Sequence, residues 1–254
     1  MPTVQQIFEQ LCAIAPLELQ MSFDNSGFLV GRGDREVRKA LLSLDITLPV
    51  IQEAEVFGAD LIISHHPLIF HALKELRPDG PGAKALLLAE KGIAALCMHT
   101  NLDIAEGGVN DVLIRLLGAE PGEALDADGC GRVGNLPQAI PLSDFLAFCK
   151  GRLQVNGLRY VDSGRPVHRL AVMGGSGADA MLDAAQKGCD TYVTADVKYH
   201  SFLDALELGL NLIDADHFCT ENPVIPVLKD RLKTAFPDVD FQVSSVHHQL
   251  ISIF

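Results

Sequence analysis

Two adjacent histidines, His65 and His66, give the strongest chemical signal in the sequence. They follow an apolar run that indicates a buried strand, and they precede Pro67, so the chain turns there and both rings can face one site. Neutral imidazole is the commonest protein ligand for metal ions. The pair therefore predicts a metal site, with two unrelated histidines at a polar strand end as the alternative.

Two further histidines are each followed by a carboxylate. His99 precedes Asp103 and His217 precedes Glu221, in both cases just after a predicted strand. One such pair favours a loop histidine beside a helix start, but the repeated arrangement favours a shared function. Imidazole and carboxylate ligands without thiolates suit zinc, iron or manganese. With the adjacent histidines, the set exceeds the needs of one tetrahedral ion. It predicts two divalent ions per chain with open positions for water.

A polar cluster follows a predicted strand in the second half of the chain. Asp196 is expected to orient a ligand imidazole, whereas Lys198 and His200 are expected to bind an anionic substrate or to move protons. Solvated polar residues at a strand end are the alternative. The cluster occupies the place that the adjacent histidines hold in the first half, and this favours a functional role.

A glycine-rich run lies between a predicted strand and a predicted helix. Backbone amides at such a helix start can bind phosphate, and Gly175, Ser176 and Gly177 are therefore weak candidates for substrate binding. A tight turn is the simpler interpretation. The run also matches the dinucleotide fingerprint loosely, which leaves a nicotinamide oxidoreductase as a minor alternative.

Short apolar runs alternate with helical patterns and must position these residues. Strands are predicted over 40–45, 61–64, 93–98, 169–173, 192–195 and 210–213, and helices are predicted between them. This alternation indicates βαβ units and a largely parallel sheet, in which ligand sites gather at the carboxyl ends of the strands. An edge strand is predicted over 243–253, and His247 and His248 within it are left out of the site.

The pattern of the first half recurs in the second. Residues 58–66 align with 188–196 position for position, and downstream His99 aligns with His217. Three features in the same order favour an internal duplication over coincidence. The predicted halves are 1–125 and 126–254, joined by a glycine-rich linker.

Composition restricts the class of partner. The chain has 254 residues, a net charge of -13, no tryptophan and 6% aromatic residues, which argues against nucleic-acid binding and against anionic membranes. Six widely spaced cysteines without a CxxC pair exclude a thiolate zinc ribbon and argue against a disulfide framework. Without a signal peptide or a long apolar run, a soluble cytoplasmic protein with a small-molecule substrate is expected.

These motifs resemble those of the NIF-three-like family, whose members are often called GTP cyclohydrolase I type 2 homologs. The resemblance spans nearly the whole chain. Its motifs are Asp24–Gly31, Ser64–Phe70, His99–Asp103, Gly174–Gly177, Tyr192–Asp196 with Tyr199 and His200, and His217–Glu221. The resemblance implies an α/β fold of two intertwined, duplicated halves with largely parallel or mixed sheets.

The resemblance also implies a ligand set, an assembly and an activity. The implied metal ligands are His65, His66, Asp103, His217 and Glu221, so that His99 becomes a supporting residue, and Tyr199 joins the weak substrate candidates. The implied assembly is a homohexamer, a trimer of dimers. The implied activity is a dinuclear-metal-dependent hydrolase that opens a small anionic heterocycle, such as a purine nucleotide, with a metal-bound water. The alternative is a non-catalytic metal-binding scaffold that forms a ring and binds partner proteins.

Overall fold

A computed structural model describes residues 1–253 and divides them into two compact units. Unit 1 contains Met1–Glu106 and Ile225–His248, and unit 2 contains Gly107–Val224 and the segment that begins at Gln249. The predicted boundary after residue 125 differs from this division. The chain enters unit 2 earlier, and it returns to unit 1 because its last strand pairs there.

Unit 1 combines a five-stranded mixed sheet with flanking helices. Its elements are α1 (Val4–Ile14), β1 (Gly27–Val30), β2 (Lys39–Ser43), α2 (Leu48–Phe57), β3 (Leu61–Ser64), α3 (Ala83–Lys91), β4 (Ala94–Cys97), α4 (Thr100–Ile104), α10 (Val224–Ala235, from its second residue) and β10 (Asp240–Val243). The strand order is β1-β4-β3-β2-β10, with β1 antiparallel to its neighbour and the others parallel.

The helices of unit 1 begin and end where their side chains require it. Thr3 and Gln6 form a capping box at the start of α1, which buries Val4, Ile7 and Leu11 on one face. Thr47 caps α2. One core cluster then fills the space between the sheet and its helices, with Leu41, Val50, Ile51, Ala54, Ile62, Leu88 and Ala95 among its buried members.

Unit 2 repeats the α/β design. Its elements are α5 (Val109–Leu116), β5 (Arg132–Ile140), α6 (Leu142–Leu153), β6 (Arg159–Val161), β7 (Val167–Val172), α7 (Met181–Gln186), β8 (Thr191–Thr194), α8 (Tyr199–Glu207), β9 (Asn211–Asp214) and α9 (His217–Glu221). The strand order is β5-β7-β8-β9-β6, with both edge strands antiparallel. Its core cluster includes Ile114, Phe145, Leu170, Val193 and Ile213.

The structure confirms the duplication at the centre of both sheets. The aligned strands β3 and β8 each lie third in their sheet, between two parallel neighbours. Asp60 accepts hydrogen bonds from the amides of Arg38 and Lys39, and Asp190 accepts them from His168 and Arg169 in the same way. The duplicated halves therefore share their hydrogen bonding as well as their topology.

The two sheets differ in one edge strand, the one beside β2 in unit 1 and beside β7 in unit 2. In unit 1 it is the parallel β10 from the C-terminal part of the chain, and in unit 2 it is the antiparallel β5. The sequence pattern did not indicate β5, part of which lies in the predicted linker. Pro137 interrupts its pattern, but it lies at a register irregularity between Asn135 and Ile140 on an edge strand, where proline is tolerated.

The predicted edge strand over 243–253 is wrong beyond its first residue. Strand β10 ends at Val243, and Ser244 and Ser245 then donate hydrogen bonds to the side chain of Glu53 instead of extending the strand. Within residues 1–253, no helix combines the length and apolar character needed to cross a bilayer.

Candidate metal site

The functional side chains of unit 1 lie at one edge of its sheet. Strands β2, β3 and β4 are parallel, so Asp45, His65, His66 and His99, which follow them, emerge at the same edge. Strand β1 runs antiparallel to β4, and its start pairs with the end of β4, which brings Asp24 to this edge as well. The topology therefore gathers residues that are up to 75 positions apart.

His65 and His66 leave the end of β3 with their rings 5.0 Å apart. His65 is fully buried, and its Nδ1 lies 2.8 Å from the carbonyl oxygen of Met98. Its Nε2 lies 3.5 Å from Oδ1 of Asp103. The Nδ1 atom of His66 lies 2.8 Å from Oδ1 of Asp45. Both rings thus have one nitrogen committed to an oxygen acceptor.

His99 is held by the turn that precedes β1. Its Nδ1 donates to Oδ1 of Asp24 at 2.7 Å, and its backbone amide donates to Ser26. Burial opposes ionisation of Asp24, but hydrogen bonds from His99, Thr100 and Ser26 outweigh it and hold the pKa of this carboxyl well below its usual value. Asp24 is therefore an anion at neutral pH, and it fixes the orientation of the His99 ring.

Asp45 contacts two imidazoles. Besides His66, its Oδ2 lies 3.2 Å from Nε2 of His247. Burial opposes ionisation here too, but hydrogen bonds from His247 and His66 outweigh it and hold the pKa of Asp45 well below its usual value. His247, which the sequence analysis set aside, is thus connected to the histidine cluster through a carboxylate.

His65, His66 and His99 together could hold a metal ion. One nitrogen from each ring lies within 4.8 Å of the others. His99 is therefore a candidate ligand by geometry, in addition to the supporting role that the resemblance implies.

The functional residues of unit 2 also lie at the carboxyl ends of parallel strands. Asp196 follows β8, and His217 begins α9 just after β9. The Nδ1 atom of His217 lies 2.7 Å from Oδ2 of Asp196, and its Nε2 lies 3.0 Å from Oε2 of Glu221. The first contact is the one that an orienting role for Asp196 requires. Asp196 has a positive φ of 54°, a conformation that non-glycine residues rarely adopt outside functional sites and turns.

Gly175 lies directly against this pair. A Cβ atom at position 175 would lie 2.1 Å from Oε1 of Glu221 and 3.1 Å from Nε2 of His217, and its φ is +65°. Glycine is therefore required here both by the backbone and by the space that the Glu221 carboxylate occupies. The sequence analysis singled out this residue for substrate binding, whereas the geometry shows that it makes room for Glu221.

The amides of the glycine-rich run donate to protein oxygens. Gly174 donates to Asn110, Gly175 to Thr220 and Gly177 to Thr194, at 2.9 to 3.0 Å. A phosphate at this turn would have to compete with these bonds.

The other substrate candidates are exposed. Ser176 lies on the glycine-rich turn, and Lys198, Tyr199 and His200 lie at the start of α8, where the Tyr199 side chain is 72% exposed and its ring contacts that of His200. Solvent access of this kind is compatible with binding an anion.

The donor set fits divalent metal ions. In His65, His66, His99 and His217, Nδ1 faces a carbonyl or carboxylate oxygen, which can only accept a hydrogen bond. Nδ1 therefore carries a proton, and Nε2 is the nitrogen that each ring would offer to a metal ion, the arrangement typical of metal-binding histidines. Two donors of one tetrahedral zinc ion lie about 3.3 Å apart. The 3.0 and 3.5 Å separations of His217 and Glu221 and of His65 and Asp103 match that spacing.

Sequence reasoning missed Asp45 and His247, and gave Asp24 no role beyond a turn. The pairing of Asp24 with His99 and of Asp45 with His66 arises only from strand order. A signal existed for Asp45, which ends a predicted strand of the same sheet and so belongs to the same edge. His247 gave no such signal, because the pairing of β10 beside β2 could not be read from the pattern.

Comparisons with known proteins agree with the fold and with the family that the motifs resemble. The family model described as Duf34/NIF3 (NGG1p interacting factor 3) matches residues 2–251. A GTP cyclohydrolase 1 type 2 homolog of Clostridium perfringens is 37% identical over 240 residues, covering 91% of this chain and 92% of the relative. A GTP cyclohydrolase 1 type 2 of Helicobacter pylori is 36% identical over 226 residues, covering 87% and 88%. The crystal structure of a Bacillus cereus protein related to NIF3 has a TM-score of 0.93 at 25% identity, covering 100% of this chain and 99% of that one.

Proposed function

The chain belongs to the Duf34/NIF3 family, and from that premise we propose that it is a metal-dependent hydrolase of the GTP cyclohydrolase type. Its substrate would be a small anionic heterocycle such as a purine nucleotide. The names of the Clostridium and Helicobacter relatives support the substrate class. The observation that carries the metal dependence is the common orientation of four imidazoles, each with Nδ1 held by an oxygen.

We propose two divalent ions per chain, zinc, iron or manganese. The proposed ligands are those that the resemblance implies, His65, His66, Asp103, His217 and Glu221. The geometry of unit 1 adds His99 as a further candidate. When bound, such ions lower the pKa of a coordinated water and polarise the bond under attack. They would also offset part of the net charge of -13, which otherwise repels an anionic substrate.

The chain's own residues would bind the substrate and move protons. Lys198 can hold an anionic group because its exposed ammonium lies at the start of α8. His200, the second residue of α8, is also exposed and can exchange protons with solvent. Asp24, Asp45 and Asp196 keep the imidazoles in the tautomer that binds metal.

Metal content tests the proposed ligands first. Untagged protein, purified without chelator, is analysed by elemental mass spectrometry beside His66→Ala, Glu221→Ala and the control His248→Ala. We expect about two ions per chain in the wild type and in the control, and loss of both ions in each of the two ligand variants. If each unit bound one ion independently, each variant would lose only one ion. A wild type that refuses added zinc, iron and manganese would refute the proposed metal dependence.

Activity tests the proposed reaction. Metal-loaded protein is mixed with GTP and other purine nucleotides, and the released formate is measured. We expect metal-dependent release that Glu221→Gln abolishes and His248→Ala retains. Loaded wild-type protein that releases no formate from any of them would rule out the cyclohydrolase reaction.

A second candidate is a metal-binding scaffold that forms a homohexameric ring and binds partner proteins. The exposed apolar residues of α8 favour it, because Tyr199, Leu203 and Leu206 offer contact area to another protein. Light scattering of the purified chain tests the proposed hexamer. Partner capture that is equal for metal-loaded and metal-free protein would favour the scaffold over the enzyme.

A further inference from the structure

We propose that Asp45 is a positioning residue for His66 and that it depends on His247, so that metal binding by His66 requires the segment Ser244–His248. The inference rests on the proposed metal site and assigns to this segment a role that the ligand set does not include. It is carried by the geometry around Asp45 and by the way in which the chain delivers His247.

The carboxylate of Asp45 lies between two imidazole rings. Its Oδ1 lies 2.8 Å from Nδ1 of His66, and its Oδ2 lies 3.2 Å from Nε2 of His247. An ionised carboxylate only accepts hydrogen bonds, so each of these nitrogens carries a proton. His66 thereby carries a proton on Nδ1, so that Nε2 is the nitrogen that would bind a metal ion. Because each oxygen serves one ring, His247 also prevents the carboxylate from rotating away from His66.

The fold delivers His247 to this place by strand pairing. Strand β10 is parallel to β2, with Val243 opposite Leu42, so the chain leaves the sheet at the same edge as Asp45. Ser244 continues the pairing by donating its amide to the carbonyl of Leu42 at 2.8 Å. The segment therefore arrives beside the histidine cluster as a direct consequence of register.

Glu53 on α2 then anchors the segment. Its carboxylate accepts hydrogen bonds from the hydroxyls of Ser244 and Ser245 and from the amide of Ser245, at 2.5 to 2.8 Å. Two residues further on, the His247 side chain is only 6% exposed, although its neighbour Val246 is 41% exposed. The contact with Asp45 therefore pairs a polar side chain that is buried although its neighbour is exposed.

His66 differs in this respect from the other carboxylate-supported histidines. Asp24 supports His99 with help from hydroxyl and amide groups of its own unit's loops, and Asp196 supports His217. Of the three supporting carboxylates Asp24, Asp45 and Asp196, Asp45 alone contacts a second imidazole, that of His247. The metal affinity of His66 is therefore the one that should respond to a residue 181 positions away, His247.

The experiment compares full-length Asp45→Ala, His247→Ala, His247→Gln and Glu53→Gln with the control His248→Ala. His248 is exposed and bonds only locally, to the carbonyl of Val246. In metal-free protein at about pH 8, where imidazole is neutral, nitrogen-15 NMR of the rings reports the tautomer of His66. Cobalt(II) affinity, measured by competition with a chelator, reports the function of the ring.

Asp45→Ala and His247→Ala should release His66 into a mixture of tautomers and weaken cobalt binding about 10- to 100-fold, the usual effect of losing a supporting residue. His247→Gln keeps an N–H donor and should restore most of the affinity. Glu53→Gln should have a smaller effect in the same direction, and His248→Ala should have none.

An unchanged His66 tautomer and unchanged cobalt affinity in Asp45→Ala would overturn the proposal. A lower unfolding temperature in His247→Ala with an unchanged tautomer and affinity would show that His247 only stabilises the fold. The tautomer is read without metal or turnover. A wild type that binds no metal would therefore defeat the proposed function, while the NMR result would still decide whether Asp45 and His247 position His66.

Discussion

Replacing Gly175 with alanine should remove metal binding by adding a single methyl group. The new Cβ would lie 2.1 Å from Oε1 of Glu221, whereas ordinary contact begins at 3.4 Å. The carboxylate would have to withdraw by at least the difference, 3.4 − 2.1 = 1.3 Å. Metal–ligand distances tolerate only about 0.2 Å of error, so Glu221 could no longer bind the ion that it would share with His217.

Two effects contribute to the predicted magnitude. The φ of +65° strains any side chain at position 175 by about 1 kcal/mol. Displacing the buried carboxylate of Glu221 adds about 1–3 kcal/mol, because its polar contacts are disturbed. The total, about 3 kcal/mol, corresponds to a fall of roughly 6–12 °C in unfolding temperature for a chain of this size. Loss of a ligand should weaken metal binding by at least about 100-fold.

Gly188→Ala is the matched control. Gly188 has a similar φ of +72°, but nothing lies within 4 Å of the Cβ that alanine would add. It should therefore show the backbone strain alone, a fall of roughly 2–4 °C, with unchanged metal content. Both variants are assayed by calorimetry and by chelator competition. If Gly175→Ala binds metal as tightly as Gly188→Ala, Glu221 is not a ligand or can withdraw without leaving the ion, and the reasoning fails.

Three further predictions concern other parts of the chain. Burial raises the pKa of the Cys149 and Cys219 thiols to about 12. The unfolded thiols ionise near pH 8.5 and the folded ones do not, so the free energy of unfolding should fall as pH rises, by about 1 kcal/mol per thiol between pH 8.5 and 9.5. Denaturant titrations should show that the free energy of unfolding depends less on pH in the double alanine variant. Asp24→Ala leaves the His99 ring without its acceptor and should destabilise the protein by about 3 kcal/mol in urea titrations, whereas an unchanged midpoint would refute the role of this carboxylate. Phe70 is 40% exposed, and its ring lies 6.2 Å from that of His99, so it should stack on a planar substrate. Phe70→Ala should therefore raise KM several-fold at unchanged metal content, and an unchanged KM would exclude the contact.

The sequence predicted the parts of the site that adjacency and spacing encode. His65 and His66 are neighbours, and His217 lies one helical turn before Glu221, so their proximity needs no knowledge of the sheet. The central strands and the duplicated segments were also predictable, because apolar runs and glycine-ended helices mark them. The alignment of the two His-carboxylate motifs was only approximate. By strand register His99 corresponds to Asp216, the residue before His217.

The supporting contacts were not predictable because they join residues that are distant in the chain. Asp24 and His99 are 75 positions apart, and Asp45 and His66 are 21 apart. Their meeting depends on which strands are neighbours and on their directions, and an edge strand such as β10 has no pattern that names its partner. The same limit explains why the division into units after Glu106 was not found from composition.

The duplicated halves use equivalent positions for opposite purposes. Leu42 pairs with Ile63 in unit 1, and Val172 pairs with Val193 in unit 2. Because Ile63 and Val193 are aligned residues, Leu42 corresponds to Val172. Three residues further along each chain segment, Asp45 therefore corresponds to Gly175. By the alignment of 58–66 with 188–196, His66 corresponds to Asp196.

Unit 1 therefore places a ligand candidate, His66, where unit 2 places a supporting carboxylate, Asp196. It then needs a carboxylate from the neighbouring strand, and Asp45 provides it at the position where unit 2 requires the empty space of Gly175 for Glu221. Replacing Asp45 or Gly175 with the residue found at the equivalent position of the other unit should impair metal binding, for opposite reasons. Asp45→Gly would remove the acceptor from His66, whereas Gly175→Asp would put a second carboxylate into the space of the first, and like charges at that distance repel strongly. If either exchange preserved metal binding, the two units would not divide the roles of ligand and support in this way.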